Sequence, residues 1–495
     1  MKFILNLLKL HKHLKQSVKY ILSLLLITIV MSNGGQQNSE LSAALSELGF
    51  NGRSLANGQK ISASEEQEAF IATLFIAEHL HPQQLWNDFH AMGGIHNAEV
   101  LIKTIHQCLN QSVKKEGGIN LSYLRNHFLL GMDKKDIIDW VVYTTQKAFN
   151  RQPGRERNEL PDQLALTQRK AMYLQEVRNL GVIERILPQR KVYDATLIMG
   201  ASRVGVLARI ADYKFIVNRH DIQIDGPIYL LAGSRELWAE IDGISPEIYA
   251  KLIQVIKENK DIDSIEAVLL NESNDYIINE GKDYMQKLAH DTGIQLKEKT
   301  PFIRYTSKET IPIGRYPDRT YASYVCENGK KLTETLMAKN LIETFFPEIL
   351  FKMIDTTHSE EQARPTTEST IQDFFALLVT SIKSGHLRGK KDIYILMQSN
   401  NPYVERQALV AQRTIEEMME KENLSNINIH IDGVGFSCKQ DPSRIQSELA
   451  ALIVERYKTA IQKKVIVPKR DITDLLFQTR KVVADIPAMP SLTTD

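Results

Sequence analysis

Cysteine is almost missing from this 495-residue chain: Cys108, Cys326 and Cys438 stand far apart and no CxxC occurs. Neither a disulfide framework nor a thiolate zinc site can be argued from such spacing. The thirteen histidines supply no replacement, because there is no HExxH, and His11 and His13 fall in the first segment of the chain. No metal site follows from them. A surplus of charge is missing too. Lys plus Arg number 61 against 60 for Asp plus Glu, a formal net charge of +1, so no global field draws in nucleic acid or an anionic membrane. Nucleic acid is not a favoured partner. Glycine (25) and proline (16) are too sparse for a disordered or collagen-like chain.

Apolar material, by contrast, is ample at 43% of residues, and the length exceeds the roughly 250–300 residues at which one core stops growing. Two or three structural units are expected. No acidic residue precedes Glu40, whereas Lys2, Lys9, Lys12, Lys15 and Lys19 lead into an apolar run at residues 20–31 followed by Ser32, Asn33, Gly34 and Gly35. A basic region, an apolar stretch and small residues make the order of a signal peptide. The run is shorter than the roughly 20 residues of a spanning helix, although the apolar residues of 3–10 can add an interfacial turn. Residues 1–35 thus read as a signal peptide or membrane-anchor leader, which places the protein in the cell envelope, exported or anchored. The other reading is a start at Met31 and a cytoplasmic protein.

Residues 36–185 carry helical periodicity, with one apolar stripe through Phe70, Leu74, Phe75 and Ala77 and another through Ile137, Ile138, Trp140, Val141 and Val142. Breaks at 93–94, 117–118 and 150–158 divide the region into five or six expected helices, and 151–161 reads as a linker. After Tyr193 the texture changes. Short runs apolar on both faces, at 195–199, 228–231, 393–397 and 427–431, alternate with helical periods, the pattern of a parallel sheet covered on both sides. Residues 190–465 are therefore expected to form a Rossmann-like α/β domain with helices on both faces. The stretch at 239–347, too long for a simple crossover, carries helices at 246–258 and 280–290 and a strand at 267–270, and about 262–326 of it is expected to be an insertion forming a lid or side lobe. Residues 466–495 form a C-terminal helix and tail.

Ligands bind such a sheet beyond the carboxyl ends of its strands, so four strand-to-helix junctions matter. The first runs through Gly200, Ser202, Arg203 and Gly205, with Arg209 in the following helix. Glycine permits a tight turn, Ser202 can cap the helix, and Arg203 or Arg209 can neutralise an anion. Its G-x-S-x-x-G spacing lacks the central glycine of a dinucleotide fingerprint and the G-x-S-x-G order of a hydrolase elbow. The second junction offers Gly233 and Ser234, then Arg235 and Glu236, which can simply pair with each other in solvent. The third passes from Asp355 through His358 to Thr366, Thr367, Glu368, Ser369 and Thr370, where Thr366 or Thr367 is a natural N-cap and Glu368 suits the positive end of the helix dipole. At the fourth, Asn400 precedes Asn401 as N-cap and Pro402 at the first helical position. Arg406 opposes the dipole there, which makes sense where it faces a carboxylate or a bound anion.

These junctions, in this order over about 194–461, resemble the SanA/ElyC/YdcF-like family of bacterial proteins, the domain of unknown function 218. The pieces are 194–202 with Arg209, 230–234, the helix 333–343 leading to Asp355, Thr366 to Ser369, 394–399 with Arg406 and Ala408, and the closing helix 447–461. A histidine usual in that family before the helix arginine is replaced here by Asn400, Asn401 and Pro402. The resemblance implies a Rossmann-like fold and an envelope-associated protein without an established reaction.

The leading expectation is a small anionic or nucleotide-like ligand. Gly200, Ser202, Arg203 and Arg209 would hold its anionic part, Gly233 and Ser234 would offer close backbone, and Thr366, Thr367, Ser369, Asn400, Asn401 and Arg406 would complete the site. Glu368 and Asp355 are the best acid–base candidates. Two alternatives stand beside it: a hydrolase or transferase acting on a phosphorylated or lipid-linked envelope precursor, and a helical interaction module on an α/β scaffold. No motif identifies a cofactor or a protein partner.

Overall fold

The computed structural model describes residues 40–55, 58–78, 134–149, 170–264, 274–297, 302–305, 319–324, 326–327, 330–357, 365–438 and 440–466. The leader at 1–35, the breaks at 93–94 and 117–118, the linker at 151–161, the strand expected at 267–270, His358 and the tail from 467 lie outside the described residues. No helix among the described residues is long and apolar enough to cross a membrane.

The chain divides into two compact units. The smaller comprises residues 1–51, 81–144 and 466–495. In it, Ile137, Ile138, Val141 and Val142 are buried along one helical stripe, as their spacing expects. The larger comprises residues 52–80 and 145–465.

A five-stranded sheet, parallel throughout, organises the larger unit. Its strands are β1 (Ala195–Met199), β2 (Ile228–Gly233), β3 (Phe351–Thr356), β4 (Asp392–Asn400) and β5 (Asn428–Phe436), in the order β5-β4-β1-β2-β3. The helices that follow in sequence are α1 (Arg203–Arg219), α2 (Pro246–Glu258), α3 (Asn274–Asp291), α4 (Glu334–Phe345), α5 (Thr367–Ser384), α6 (Val404–Lys421) and α7 (Pro442–Gln462). Side chains alternate across a strand, and both sets here are apolar. Ala195, Leu197, Met199, Tyr229, Leu231, Ile393, Ile395 and Met397 pack with Phe374 and Leu378 of α5 and Ile415 of α6. Ile198, Leu230, Ala232, Leu396 and Val434 pack on the other face with α1, α2 and α4. That double burial is why the strands read as unbroken apolar runs.

β3 escaped the expected strand set. As the edge strand it is half polar, with Lys352 and Asp355 exposed, so neither a continuous apolar run nor a fully buried face marks it. The segment at 262–326 forms α3 and an antiparallel pair, Phe302–Tyr305 with Arg319–Ala322. It is no separate lobe, because Met285, Leu288, Ala289, Ala322 and Cys326 join the core beneath α1 and α2. Helices Ala63–Glu78 and Lys170–Asn179, which the boundary at 185 assigns to the helical region, also belong to this larger unit. The buried Tyr173 hydroxyl donates to Gln446 Oε1 of α7 at 2.7 Å. Ahead of Ala63–Glu78, Arg53–Ser54 and Lys60–Ile61 form a short antiparallel pair that the helical pattern does not announce. Arg53 bonds Glu66 at 2.7 Å and Glu405 at 3.1 Å. Burial alone would push the Glu405 carboxyl up, but the guanidiniums of Arg456 and Arg53 hold it down at about 2.

Under α1 lies a second ionic knot. Asp212, with 0% exposure, accepts from Arg185 Nη1 at 2.7 Å and from Gln398 Nε2 of β4 at 2.8 Å. Burial raises its pKa to about 6 against the lowering effect of Arg185. A carboxyl whose folded pKa lies above its unfolded value stabilises fully below the unfolded value and loses that contribution as pH rises through the folded one. Stability should therefore fall between about pH 4 and pH 6, by on the order of 3 kcal/mol for a shift of this size. Urea denaturation across that range should show the decline in wild type and its disappearance in Asp212→Asn; parallel curves would refute it.

Candidate functional site

From β1 the chain adds β2 and β3 to one side, then returns to lay β4 and β5 on the other, so the connections diverge between β1 and β4. Such a divergence opens a crevice at the carboxyl ends, and a cavity of about 840 Å³ lies there. Arg209 of α1 fixes its floor. Nε and Nη2 donate to Asn400 Oδ1 at 2.9 and 2.8 Å, while Nη1 donates to the carbonyls of Met199 at 2.8 Å and Gly200 at 2.6 Å. The ends of β1 and β4 are thus joined through one buried guanidinium. These four bonds go to neutral protein oxygens, so Arg209 braces the wall of the cavity that it also lines.

Ser202 occupies the N-cap position of α1, yet its side chain accepts no capping bond. It lines the cavity together with Val204 and Gly205 of the first turn, whose N–H groups have no intrahelical acceptor. Arg203 turns away from the cavity. It donates to Glu280 at 2.7 Å and lies over the Tyr284 ring, its Cζ 3.6 Å from the centroid. The guanidinium that the sequence offers to an anion is thus engaged by a carboxylate and an aromatic face.

Behind Gly200 stands a charge cluster that the sequence does not reveal. Arg235 is buried and bonds Asp242 through two nitrogens at 2.9 and 3.1 Å, and Glu334 of α4 at 3.1 Å. Burial would lower its pKa, but the two carboxylates raise it above its ordinary value. Arg235 meets Glu236 only at its backbone carbonyl, at 3.1 Å, while the Glu236 carboxylate accepts from Ser323 at 2.5 Å. Glu334 and Arg235 both line the cavity, as do Glu240 and Asp263. Glu240 accepts the Ala322 N–H at 2.8 Å; burial raises its pKa, the N–H opposing. Asp263 accepts from Ser437 N at 2.9 Å and Arg185 Nε at 2.7 Å.

At the opposite wall, Thr366 and Ser369 form a reciprocal capping box at the start of α5, so their hydroxyls serve the helix. Thr366, Thr367, Glu368 and Ser369 nevertheless line the cavity. Glu368 is bonded by Arg413 Nη2 at 3.0 Å. Arg406 faces a carboxylate, the buried Glu448. Arg444 and Lys458 bring two further cations, paired with Asp441 at 3.1 Å and Glu455 at 2.9 Å. An apolar wall of Ile241, Ile248, Leu252, Ile277 and Phe436 completes the cavity.

Eleven of the expected residues line this one space: Gly200, Ser202, Arg209, Gly233, Thr366, Thr367, Glu368, Ser369, Asn400, Asn401 and Arg406. Asp355 does not. It sits exposed on the edge strand and accepts from Thr335 Oγ1 at 2.5 Å, so it makes no acid–base pair with Glu368. Ser234 also stays outside, its N–H donating to Thr356 O at 2.9 Å. Asn401 and Pro402 do not start α6, because the helix begins at Val404 with Tyr403 at its N-cap; Asn401 instead reaches the Glu184 carbonyl. Gly233 offers its close approach to a protein ring, since a Cβ there would meet Pro365 Cγ at 2.8 Å. Glu334 and Gln407 were missed, and Arg235 was named at its junction only as a charge that can pair with Glu236. Glu334 follows the cap Thr333 and reads as an ordinary first-turn acid, and only the chain's return brings it against Gly200.

Comparison of the chain with protein-family models, curated proteins and solved structures finds no match in any of the three.

A Cβ at Gly200 would lie 2.3 Å from Glu334 Oε1 and 2.5 Å from the Leu231 carbonyl. Gly200→Ala should therefore cost about 1–3 kcal/mol, as overpacking of a tight interior does, and more than Gly233→Ala, whose obstacle is a ring edge. Chemical denaturation of the two variants checks the order; equal stability to wild type would show that the β1 end is not closely packed.

Proposed function

We propose that the crevice binds a small phosphorylated ligand of the nucleoside diphosphate class, in a Rossmann-like arrangement, and that the protein acts by binding it. The observation that carries this reading is the Ser202 hydroxyl, unspent on its own helix and lining the cavity at the start of α1. A helix N-terminus with free N–H groups favours an anion, and the cap of α5 presents a second positive dipole end to the same space. Isoleucines on the far wall suit the flat face of a base or a sugar edge. Of the carboxylates lining the cavity, Asp263, Glu334, Glu368 and Glu455 are paired with Arg or Lys and Glu240 holds the Ala322 N–H, so selectivity for the anion comes from the helix ends. Asp355 lies outside the cavity and the carboxylates that line it are each engaged by a protein donor, which favours binding over hydrolysis. The resemblance to the SanA/ElyC/YdcF-like proteins and the basic, then apolar, leader support an envelope-associated setting in a bacterium.

Calorimetric titration of the full chain with ADP should give binding that Ser202→Ala weakens by roughly ten-fold, the size of one hydrogen bond to a charged acceptor. Asp355→Asn should leave it unchanged. Binding that is absent, or equally sensitive to Asp355→Asn, would overturn the assignment.

A further inference from the structure

Gln407 sits in the first turn of α6, its N–H donating to the Tyr403 carbonyl at 3.0 Å. The residue is 8% exposed and lines the cavity. Ser399 Oγ, fully buried at the end of β4, donates to Gln407 Oε1 at 2.5 Å. With the carbonyl oxygen held, the amide nitrogen is directed, and among the described residues Nε2 donates to no group. Gln407 thus keeps an amide donor at the cavity lining that no acceptor among the described residues uses, open to an acceptor oxygen on whatever fills the space. An amide is neutral: it brings no charge pairing to a phosphate and is equally suited to a hydroxyl or carbonyl oxygen.

We infer that Gln407 reads an uncharged acceptor oxygen on the ligand, so that the site selects a nucleoside phosphate over inorganic phosphate or pyrophosphate. Ser399 acts as a positioning residue for that amide, next to the Arg209–Asn400 clamp that fixes the same strand end. The inference rests on the anion-binding reading of the crevice, which supplies the phosphate half of the ligand.

The test titrates full-length protein with ADP and, separately, with inorganic pyrophosphate. Wild type should bind ADP more tightly. Gln407→Leu should weaken ADP by about ten-fold, one hydrogen bond's worth, and leave pyrophosphate within about two-fold, which also certifies the fold. Ser399→Ala, which frees the amide to rotate, should weaken ADP by a smaller factor with pyrophosphate again unmoved. Equal loss for both ligands, or no loss for ADP, overturns the role of Gln407. Wild type that binds the two ligands equally removes the neutral-acceptor subsite and leaves the anion site standing. Wild type that binds neither removes both.

Discussion

Arg209 ties together what the chain order drives apart. Its guanidinium bonds the carbonyls that end β1 and the amide oxygen that ends β4, across the line where the connections diverge. A parallel sheet leaves unpaired backbone groups at that divergence, and buried backbone oxygens without partners are costly. One residue satisfies two of them and fixes Asn400 at the same time. The floor of the cavity is therefore rigid, and the groups that project above it, Ser202 on α1 and Gln407 on α6, are held at fixed places by the two strands so joined.

The remaining charge in the unit follows the same logic of mutual satisfaction. Arg235 sits between Asp242 and Glu334, Arg185 gathers Asp212 and Asp263, and Arg456 with Arg53 encloses Glu405. Breaking a buried pair leaves an uncompensated charge, whereas the intact pair adds little net stability. These knots position elements more than they strengthen the fold. Each fastens α1, α4 or α6 near its N-terminal or inner face, which keeps the helix ends aimed at one space.

Much of the α/β unit was legible because burial on both sheet faces writes itself as uninterrupted apolar runs: 195–199 and 393–397 are such runs, and both are strands. β3 was not, because an edge strand has one open side and tolerates Lys352 and Asp355. The capping box at Thr366 and Ser369 was legible, since it is local. Arg203 and Arg209 were not told apart: six residues separate them on one helix, about 600° of rotation at 3.6 residues per turn, so they point to different sides. Only the position of the sheet decides which meets the cavity. Glu334 and Gln407 were invisible for the same reason, since their partners, Arg235 and Ser399, become neighbours through tertiary packing or a strand-to-helix turn that no spacing rule encodes.

The central claim is that a phosphorylated ligand occupies the space above the Arg209 clamp. Hydrogen–deuterium exchange of the full-length protein, with and without ADP, tests it most directly. Slowed exchange at residues 200–206 and 401–408, with the edge strand at 351–356 unchanged, is the predicted result. Protection confined to other segments, or none at saturating ADP, would contradict it.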